Sequence, residues 1–322
     1  MIKIIFVFIF YLFFANHGLR KKDRVILEPI YHILVEKFKL ENEDIGAFGE
    51  DVPLNYRATF KYLRNTTNLT TTGGNHLTYY RNGETFFPAL LESLKNAKEF
   101  IFMEFFIIGE GIWWNQIEEV LIEKAKEGVE VRLIYDDMGS FGVIPNKYHE
   151  KMNKSGIKCY KFHPFKAHLS GSYNNRDHRK IAIIDHSEAY TGGMNLADEY
   201  ANAIMRFGYW KDTMVKVEGP GIANFIAIFL ENYDLCQRQV SDYDHYLDYD
   251  YQTYPDPGYI YFFGDGPGSY SNNEPIGEDN YIQMIDSALK TIWISTPYLI
   301  PPYRLRMALV SAAKSKDGWN FE

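Results

Sequence analysis

Residues 174–195, NNRDHRKIAIIDHSEAYTGGMN, contain side chains that could act together on a phosphate group. His178 and Lys180 stand two apart at the start of an apolar, strand-like run, so their side chains share one face, about 6–7 Å apart. A histidine can serve as a nucleophile or acid–base group near neutral pH, and a lysine can stabilise charge on a phosphoryl oxygen as a metal would. Two glycines and Asn195 follow, and they would bring small residues and an amide close to a bound phosphate.

Asp185 ends the same apolar run, an odd number of residues after His178. On a straight strand it points to the opposite face or lies in the turn, which favours a structural role, although its place in the pattern keeps it among the candidate catalytic residues. A histidine and a lysine alone would more often be incidental at a strand end. The complete spacing is far more specific.

That spacing, His178-x-Lys180-x4-Asp185-x6-Gly192-Gly193-x-Asn195, is similar to the signature of the phospholipase D superfamily. Further stretches resemble bacterial cardiolipin synthases of this type, namely GVEVRLIYDDMGS, FHPF, NNRDHRKIAIID, GGMNLADEY, WKDT, VEGPG and STPYLIPP. The resemblance runs from about Gly74 to Pro302, with order and spacing preserved. One minor departure is His186, which stands where the family usually has glycine.

The resemblance implies a reaction that joins two phosphatidylglycerol molecules into cardiolipin and glycerol. His178 would be the nucleophile that forms a phosphohistidine, and Lys180 and Asn195 would bind the phosphate beside Gly192 and Gly193. It implies no metal and no cofactor. The implied partners are phosphatidylglycerol and membrane lipid, with no nucleic acid.

A nucleophilic histidine needs a carboxylate to orient it. Asp212, 34 residues past His178, is the first candidate, with Glu199 and Glu104 as alternatives. Glu104 interrupts the apolar run IFMEFFII, where a charge is costly unless it is paired. It therefore faces either the substrate site or a buried Arg or Lys. In a complete enzyme the far side of the cleft would be lined by Ser295, Thr296 and Tyr298.

The second half of the chain begins as a weak copy of the first. At a constant offset of 191, apolar positions of 90–106 coincide with those of 281–297: Leu91, Leu94, Ala97, Ile101 and Met103 match Ile282, Ile285, Ala288, Ile292 and Ile294. A second HxKxxxxD motif is absent from the sequence, so a two-histidine mechanism needs another chain or a longer gene product. The unfinished copy favours a fragment that lacks the C-terminal half over a dimer with one motif per chain.

Apolar periodicity predicts an α/β fold with a phospholipase D-type mixed, largely parallel sheet flanked by helices. Its first domain would be complete and its second, pseudo-repeat domain partial. Helices are expected over 86–98, 114–128 and 221–236 and strands over 99–108 and 129–137, with a C-cap at Gly128 and a hairpin turn at Asn82–Gly83.

Composition and charge limit the classes of function. The net charge of −8 argues against broad attraction to nucleic acid. The two cysteines suggest neither a zinc site nor a disulfide framework. The uncharged run 4–15 is short for a bilayer span and is followed by four basic residues, which favours a membrane anchor with the catalytic domain on the cytoplasmic side of the cell membrane; a signal peptide and a buried segment are alternatives.

The expected organisation has five parts. They are a hydrophobic anchor segment at 1–19, a juxtamembrane connector at 20–72, the first catalytic domain at 73–240, an acidic Tyr-rich linker at 241–258 and a partial second domain at 259–322. The linker is expected to be solvated, with a mobile lid as the alternative. An open second domain would expose apolar side chains around TIWIS, which predicts aggregation or poor expression of the isolated chain.

Three other functions stay open from the sequence. One is a phospholipase D-like hydrolase that uses water as the acceptor. Another is a dimeric nuclease of the same superfamily, which the acidic charge and apolar N-terminus disfavour. A third is a catalytically inactive membrane-bound or scaffolding module.

Overall fold

The computed structural model describes residues 21–38, 52, 54–164, 176–265, 275–296 and 299–315. A seven-stranded sheet lies at its centre, in the order β2-β8-β7-β6-β3-β4-β5. Its strands are β2 (His76–Tyr80), β3 (Phe100–Phe105), β4 (Glu130–Asp136), β5 (Lys158–Phe162), β6 (Lys180–Ile184), β7 (Glu188–Gly192) and β8 (Met214–Glu218). A separate small ladder pairs β1 (Thr72–Gly73) with β9 (Tyr259–Ile260).

Helices cover both faces of the sheet. They are α1 (Lys21–Lys37), α2 (Leu54–Thr67), α3 (Gly83–Asn96), α4 (Ile112–Glu127), α5 (Tyr148–Lys154), α6 (Ile222–Gln237), α7 (Tyr243–Leu247), α8 (Ile276–Ser287) and α9 (Tyr303–Ser315), with a 3₁₀ turn at Asp198–Ala201. The predicted helices, the two predicted buried strands and the left-handed C-cap at Gly128 are all present. The helix α2 was not predicted; it lies within the expected connector, and only its last residues overlap the Thr-rich stretch that is typical of a loop.

The sheet is mixed, and its parallel part is confined to β3, β4 and β5. The connections there contain helices α4 and α5, which return the chain to the starting edge. The other neighbouring strands are antiparallel. A tight turn joins β6 to β7, so this part of the sheet needs no crossover helix.

Side-chain alternation on the central strands creates two separate cores. On one face, Met103 and Ala182 pack with α3, α4 and α5. On the other, Phe102 and Ile183 pack with α1, α6 and α7. Lys180 follows the alternation of Ala182 and therefore belongs to the α3–α4 face, whereas Arg179 belongs to the α6 face.

The predicted hairpin turn at Asn82–Gly83 is wrong. Asn82 is instead the N-cap of α3, where its side-chain Oδ1 accepts a hydrogen bond from the amide of Thr85 at 3.2 Å. A Cβ at Gly83 would lie 2.1 Å from the carbonyl oxygen of Tyr200, so the close approach of two backbones explains the glycine. Asn-Gly suits both a turn and a capped helix start, and local sequence does not separate them.

The first part of the acidic Tyr-rich segment, 241–247, is docked on the first domain, whereas residues 248–258 are mostly exposed, as expected for a solvated linker. Tyr243 and Tyr246 are buried in the α6-side core. Arg132, on β4, donates to the hydroxyl of Tyr246 at 2.7 Å and to Ser241 Oγ at 2.9 Å. The tyrosines supply apolar area while their hydroxyls find polar partners, which the acidic composition alone did not reveal.

We expect protonation of Glu130 in acid to weaken the packing of Tyr246 on the first domain. Burial raises the pKa of Glu130, but hydrogen bonds from Lys158 and Tyr246 and the charge of Arg132 outweigh it and lower the pKa to about 2. A carboxyl with a lowered pKa stabilises the fold above its ordinary value of 4.5, and the contribution is lost as pH falls from 4.5 toward 2. The urea-measured stability advantage of the wild type over Glu130→Gln should be constant above about pH 5 and shrink below it.

Glu127→Gln is the matched control, since Glu127 is an exposed partner of Lys124 at the end of α4. Its stability difference from the wild type should stay flat across the same pH range. A stability advantage of the wild type over Glu130→Gln that grows as the pH falls would contradict the lowered pKa of Glu130.

The second repeat reproduces the helix of the first but not its strand. The amide of Ala97 caps α3 by donating to the carbonyl oxygen of Leu94 at 3.3 Å, and Ala288 caps α8 in the same way on Ile285 at 3.3 Å. Residues 291–296, which the copy predicts to be a strand, have no regular secondary structure. Trp293 is 92% exposed there, so the predicted apolar exposure around TIWIS is confirmed, and aggregation stays a prediction.

Within the part of the chain that the structure describes, no helix combines the length and apolar character needed to cross a bilayer. The predicted anchor at 1–19 lies outside the described residues.

Candidate active site

Loops from all seven strands, including the end of β2, meet at one end of the sheet. The parallel strands β3, β4 and β5 end there, and the antiparallel β6 and β8 begin there beside the end of β7. The edge therefore receives Phe106 after β3, Asp136 at the end of β4, residues 176–179 before β6 and Gly192 at the end of β7. Ligands of sheets with parallel strands commonly bind at the carboxyl ends of those strands.

His178 lies two residues before β6 and is exposed at this edge. Its ring packs against the ring of Phe106, with centroids 4.8 Å apart. Partial burial and the nearby charge of Lys180 lower the pKa of His178, against an opposing effect of Asp177. The imidazole is therefore neutral at pH 7 and keeps a lone pair for attack on phosphorus.

Lys180 is 3% exposed at the first position of β6, pointing to the same face as His178. Its Nζ donates to the carbonyl oxygen of His178 at 2.6 Å and lies 5.5 Å from the centre of the Phe106 ring. Burial lowers the pKa of Lys180 to about 8, and the carboxylates of Asp177 and Asp212 only partly offset it. The ammonium group is thus charged at pH 7 and poorly hydrated, as suits recognition of a phosphoryl oxygen.

Gly192 and Gly193 let the chain pass close to the start of β8. A Cβ at Gly192 would lie 2.3 Å from the carbonyl oxygen of Thr213, and one at Gly193 would lie 2.1 Å from Oδ1 of Asp212. The Asp212 carboxylate accepts from the amide of Thr213 at 2.7 Å and acts electrostatically on Lys180. The structure thus brings Asp212 to the site as a partner of Lys180, and its orienting role toward His178 stays a prediction.

Asn195 is 2% exposed, and its side chain ties the loop after β7 to neighbouring loops. Its Oδ1 accepts from the amide of Ile107 at 2.9 Å, and its Nδ2 donates to the hydroxyl of Tyr200 at 2.8 Å. This arrangement holds the loop that carries Phe106. Phosphate binding by Asn195 stays a prediction.

Glu199, the alternative orienting carboxylate, is engaged elsewhere, because it accepts from Nη1 of Arg206 at 3.3 Å. Ser295 and Thr296 are exposed in the irregular segment that precedes α9, and Tyr298 lies outside the described residues. A role of Ser295, Thr296 or Tyr298 in lining the site stays a prediction.

Glu104 lies on the opposite face of the sheet from Lys180 and is fully buried. Its Oε1 accepts from Nη1 of Arg179 at 3.3 Å and from Nδ2 of Asn232 at 2.9 Å. Burial, with the charge of Asp177, raises the pKa of Glu104 well above its usual range, against the opposing charge of Arg179. Of the two environments expected from the sequence, the structure provides the buried arginine, so Glu104 supports the chain beneath His178 and does not reach into the cleft.

The contribution of Asp136 was missed by sequence reasoning. Its buried carboxylate accepts from the amides of Met138 and Gly139 at 2.9 Å, from Nη1 of Arg176 at 3.2 Å and from the amide of Asp177 at 3.0 Å. It therefore fixes the segment that leads into His178. An available signal was its place at the carboxyl end of a buried parallel strand, where functional side chains concentrate.

Asp185 lies at the other end of β6 from the site. Its carboxylate accepts hydrogen bonds from the amides of Lys98, Glu99 and Phe100 at 3.0, 2.8 and 2.8 Å, and its φ of 51° is in the left-handed region. These contacts fasten the end of β6 to the start of β3. The geometry matches the structural role that the odd spacing indicates.

Replacement of Asp185 by alanine should therefore reduce stability rather than chemistry. The variant loses an acceptor for three amides and places alanine at positive φ, which we expect to cost about 2–4 kcal/mol in the free energy of unfolding. Asp185→Asn keeps one oxygen and tolerates the backbone, so about 1 kcal/mol is expected. Urea denaturation measures both. A catalytic role would instead make Asp185→Asn inactive at unchanged stability.

Comparison with known proteins shows which proteins the chain resembles. Residues 90–224 match the family model described as "Cardiolipin synthase, PLD-like domain". "Cardiolipin synthase 2" of Bacillus anthracis is 36% identical over 233 residues, which cover 72% of this chain and 45% of the relative. "Cardiolipin synthase" of Alkalihalophilus pseudofirmus is 31% identical over 313 residues, 96% of this chain and 61% of the relative. The chain is therefore similar to cardiolipin synthases of the phospholipase D type.

Other cardiolipin synthase relatives are likewise matched over only part of their length. The chain spans about half the length of the curated relatives it matches, with 45% and 50% of two of them covered. Among solved structures, phosphatidylserine synthase of Haemophilus influenzae aligns with a TM-score of 0.54 at 13% identity, covering 80% of this chain and 63% of that one. At that identity the likeness supports the fold alone, and it agrees with the helix-flanked mixed sheet seen here.

Proposed function

We propose that this chain carries the nucleophile-bearing half of a cardiolipin synthase site. The observation that carries the proposal is the pairing of an exposed, neutral His178 with a buried, charged Lys180 at one edge of the sheet. The resemblance to cardiolipin synthases implies the substrate class, phosphatidylglycerol.

In the proposed first step, an imidazole nitrogen of His178 attacks the phosphorus of phosphatidylglycerol. The bond from phosphorus to the headgroup glycerol breaks, and that glycerol leaves with a proton from a general acid outside this site, which the family resemblance assigns to a second histidine. Lys180 stabilises the charge on the phosphoryl oxygens. The product of this step is a phosphatidyl group bonded to His178.

In the second step, the terminal hydroxyl of another phosphatidylglycerol attacks the phosphohistidine. The P–N bond breaks, the hydroxyl proton passes to the group that protonated the glycerol, and cardiolipin is released. If water attacks instead, the product is phosphatidic acid. The same intermediate therefore serves a synthase or a hydrolase, and product identification separates them.

The test uses vesicles of ³²P-labelled phosphatidylglycerol with this chain alone and with the full open reading frame that contains its codons. Denaturation in alkali preserves a phosphohistidine and acid removes it, so labelled protein reports the first step. Lipid chromatography should show cardiolipin. Phosphatidic acid without cardiolipin would replace the synthase by a hydrolase, and DNA cleavage without labelled protein would favour a nuclease.

A further inference from the structure

Seven of the nine large apolar side chains that stand exposed in the described part of the first domain lie at the end of the sheet that carries His178, and the other two, Leu77 and Tyr79, are on β2. Among the described residues from 81 to 240, the large apolar side chains that stand exposed occur in three places. These are the start of α4 (Ile112), the loop after β4 (Met138 and Phe141) and the loop before β8 (Ile204, Met205, Phe207 and Tyr209). Since β3 and β4 end and β8 begins at the catalytic edge, all three places lie on that edge. We call these seven side chains the apolar rim.

Hydrogen bonds join the three parts of the rim into one surface. The amide of Glu110 donates to the carbonyl oxygen of Val143 at 2.9 Å, which links the loop after β3 to the loop after β4. The amide of Ile112 donates to Oδ2 of Asp198 at 2.8 Å, which links α4 to the chain that leads into the loop before β8. The rim is therefore a continuous border of the site rather than scattered exposure.

The loop 202–210 has a fixed neck and an exposed tip. Asn202, itself in the left-handed region, accepts from the amide of Trp210 at 2.6 Å and donates to its carbonyl oxygen at 3.0 Å. The tip presents Met205 and Phe207 at 72% and 66% exposure. Because the two ends of the loop are held together, the tip loses little conformational entropy when it binds another surface. The free energy gained by burying its apolar side chains is then offset less.

Basic side chains accompany the rim. The guanidinium of Arg206 lies 5.1 Å from the centre of the Phe207 ring, and Arg81 and Lys211 are exposed on the same edge. Arg206 also contacts Glu199, and Glu84 and Glu110 are exposed nearby in the chain. Aromatic and apolar side chains with basic neighbours suit the headgroup boundary of an anionic bilayer, where apolar area and positive charge both contribute to binding.

We propose that the apolar rim inserts into the surface of an anionic phospholipid bilayer, with the tip of loop 202–210 entering deepest and His178 held at headgroup level. The inference rests on the proposed function, because it brings the phosphodiester of a lipid to His178 while the acyl chains stay in the bilayer. Its consequence is that the catalytic edge, and not a lateral face of the sheet, points at the membrane.

A depth measurement tests the insertion. Met205→Cys is labelled with an environment-sensitive fluorophore, and Lys98→Cys, exposed at the opposite edge, is the matched control. The native thiols interfere little, because Cys159 is buried and burial raises the pKa of both Cys159 and Cys236. On phosphatidylglycerol vesicles the label at 205 should shift to shorter wavelength and be quenched by acyl-chain spin labels, whereas the label at 98 should keep its aqueous emission.

The depth of the label, and not the bound fraction, is the readout, since residues 4–15 could hold the chain on vesicles by themselves. When Phe207→Ser is added to the labelled protein, the lipid concentration that produces half of the emission shift should rise about tenfold. Leu77→Ser, at an exposed apolar position on β2, should leave that concentration unchanged. An aqueous label at 205 on vesicle-bound protein would overturn the proposal. So would a shift that needs no vesicles and grows with protein concentration, because the rim would then contact a second copy.

The insertion and the reaction can fail separately. Turnover of phosphatidylglycerol with an aqueous label at 205 would remove the rim proposal and leave the reaction. An inserted label with no labelled His178 and no lipid product would remove the reaction and leave the rim as a lipid-binding surface.

Discussion

Replacement of His178 by glutamine is expected to abolish labelling of the protein by ³²P-phosphatidylglycerol, with a loss of at least about 10³-fold in the rate of adduct formation. Glutamine keeps polar atoms of similar reach but offers no nucleophilic nitrogen. Because His178 is exposed and precedes β6, the change removes no core contact. The free energy of unfolding should therefore stay within about 0.5 kcal/mol of the wild type.

His245→Gln is the matched control, since His245 is an exposed histidine on α7. Labelling should survive this change in full. Alkali-stable labelling that persists in His178→Gln would place the nucleophile elsewhere, and the proposed mechanism would not hold.

The second large effect is expected from Lys180→Met, which should slow adduct formation about 10²–10³-fold. Methionine fills a similar volume without the charge, so the buried site loses its electrostatic contact with the phosphoryl oxygens. Stability should be unchanged or slightly higher, because the cost of burying an ammonium group is gone. Lys216→Met is the control, as Lys216 is a half-buried lysine on β8 paired with Glu188 and Glu218.

The pH profile distinguishes this role from a structural one. In the wild type, kcat/KM should rise through a pKa below 6.5 as His178 becomes neutral and fall near pH 8 as Lys180 loses its proton. In Lys180→Met the fall near pH 8 should disappear, and the rising limb should move to higher pH because the positive charge no longer opposes protonation of His178. An unchanged profile would mean that Lys180 acts only in packing.

Much of the central fold is predictable from sequence because it depends on local patterns. The apolar run that ends at Phe105 and the C-cap glycine Gly128 indicate their elements directly. The antiparallel half of the sheet is not predictable in this way, since strand direction is decided by how β6, β7 and β8 pair over long separations. Asn82 shows the local limit, because one dipeptide suits two structures.

In the candidate site, too, the features that depend on local sequence are predictable and those that depend on tertiary contacts are not. Spacing alone predicts that His178 and Lys180 share a face, because they stand two apart at the start of a strand-like run. The surroundings of Glu104 depend on Arg179 and on Asn232 of α6, which lies 128 positions away. The carboxylate of Asp136 is likewise connected to His178 only through tertiary structure, so no spacing rule could have found it.

The connection that Asp136 and Arg176 make across the edge has a consequence for evolution. Arg176 joins Asp136 on one side and donates to the carbonyl oxygen of His163 at 3.1 Å on the other, so both flanks of residues 164–175 are fixed before the chain reaches His178. Closing a loop between fixed ends costs little more when the loop lengthens, roughly 0.6 kcal/mol per doubling. Because these contacts hold His163 and Arg176 themselves, we expect sequence changes between residues 166 and 173 to leave the position of His178 unchanged.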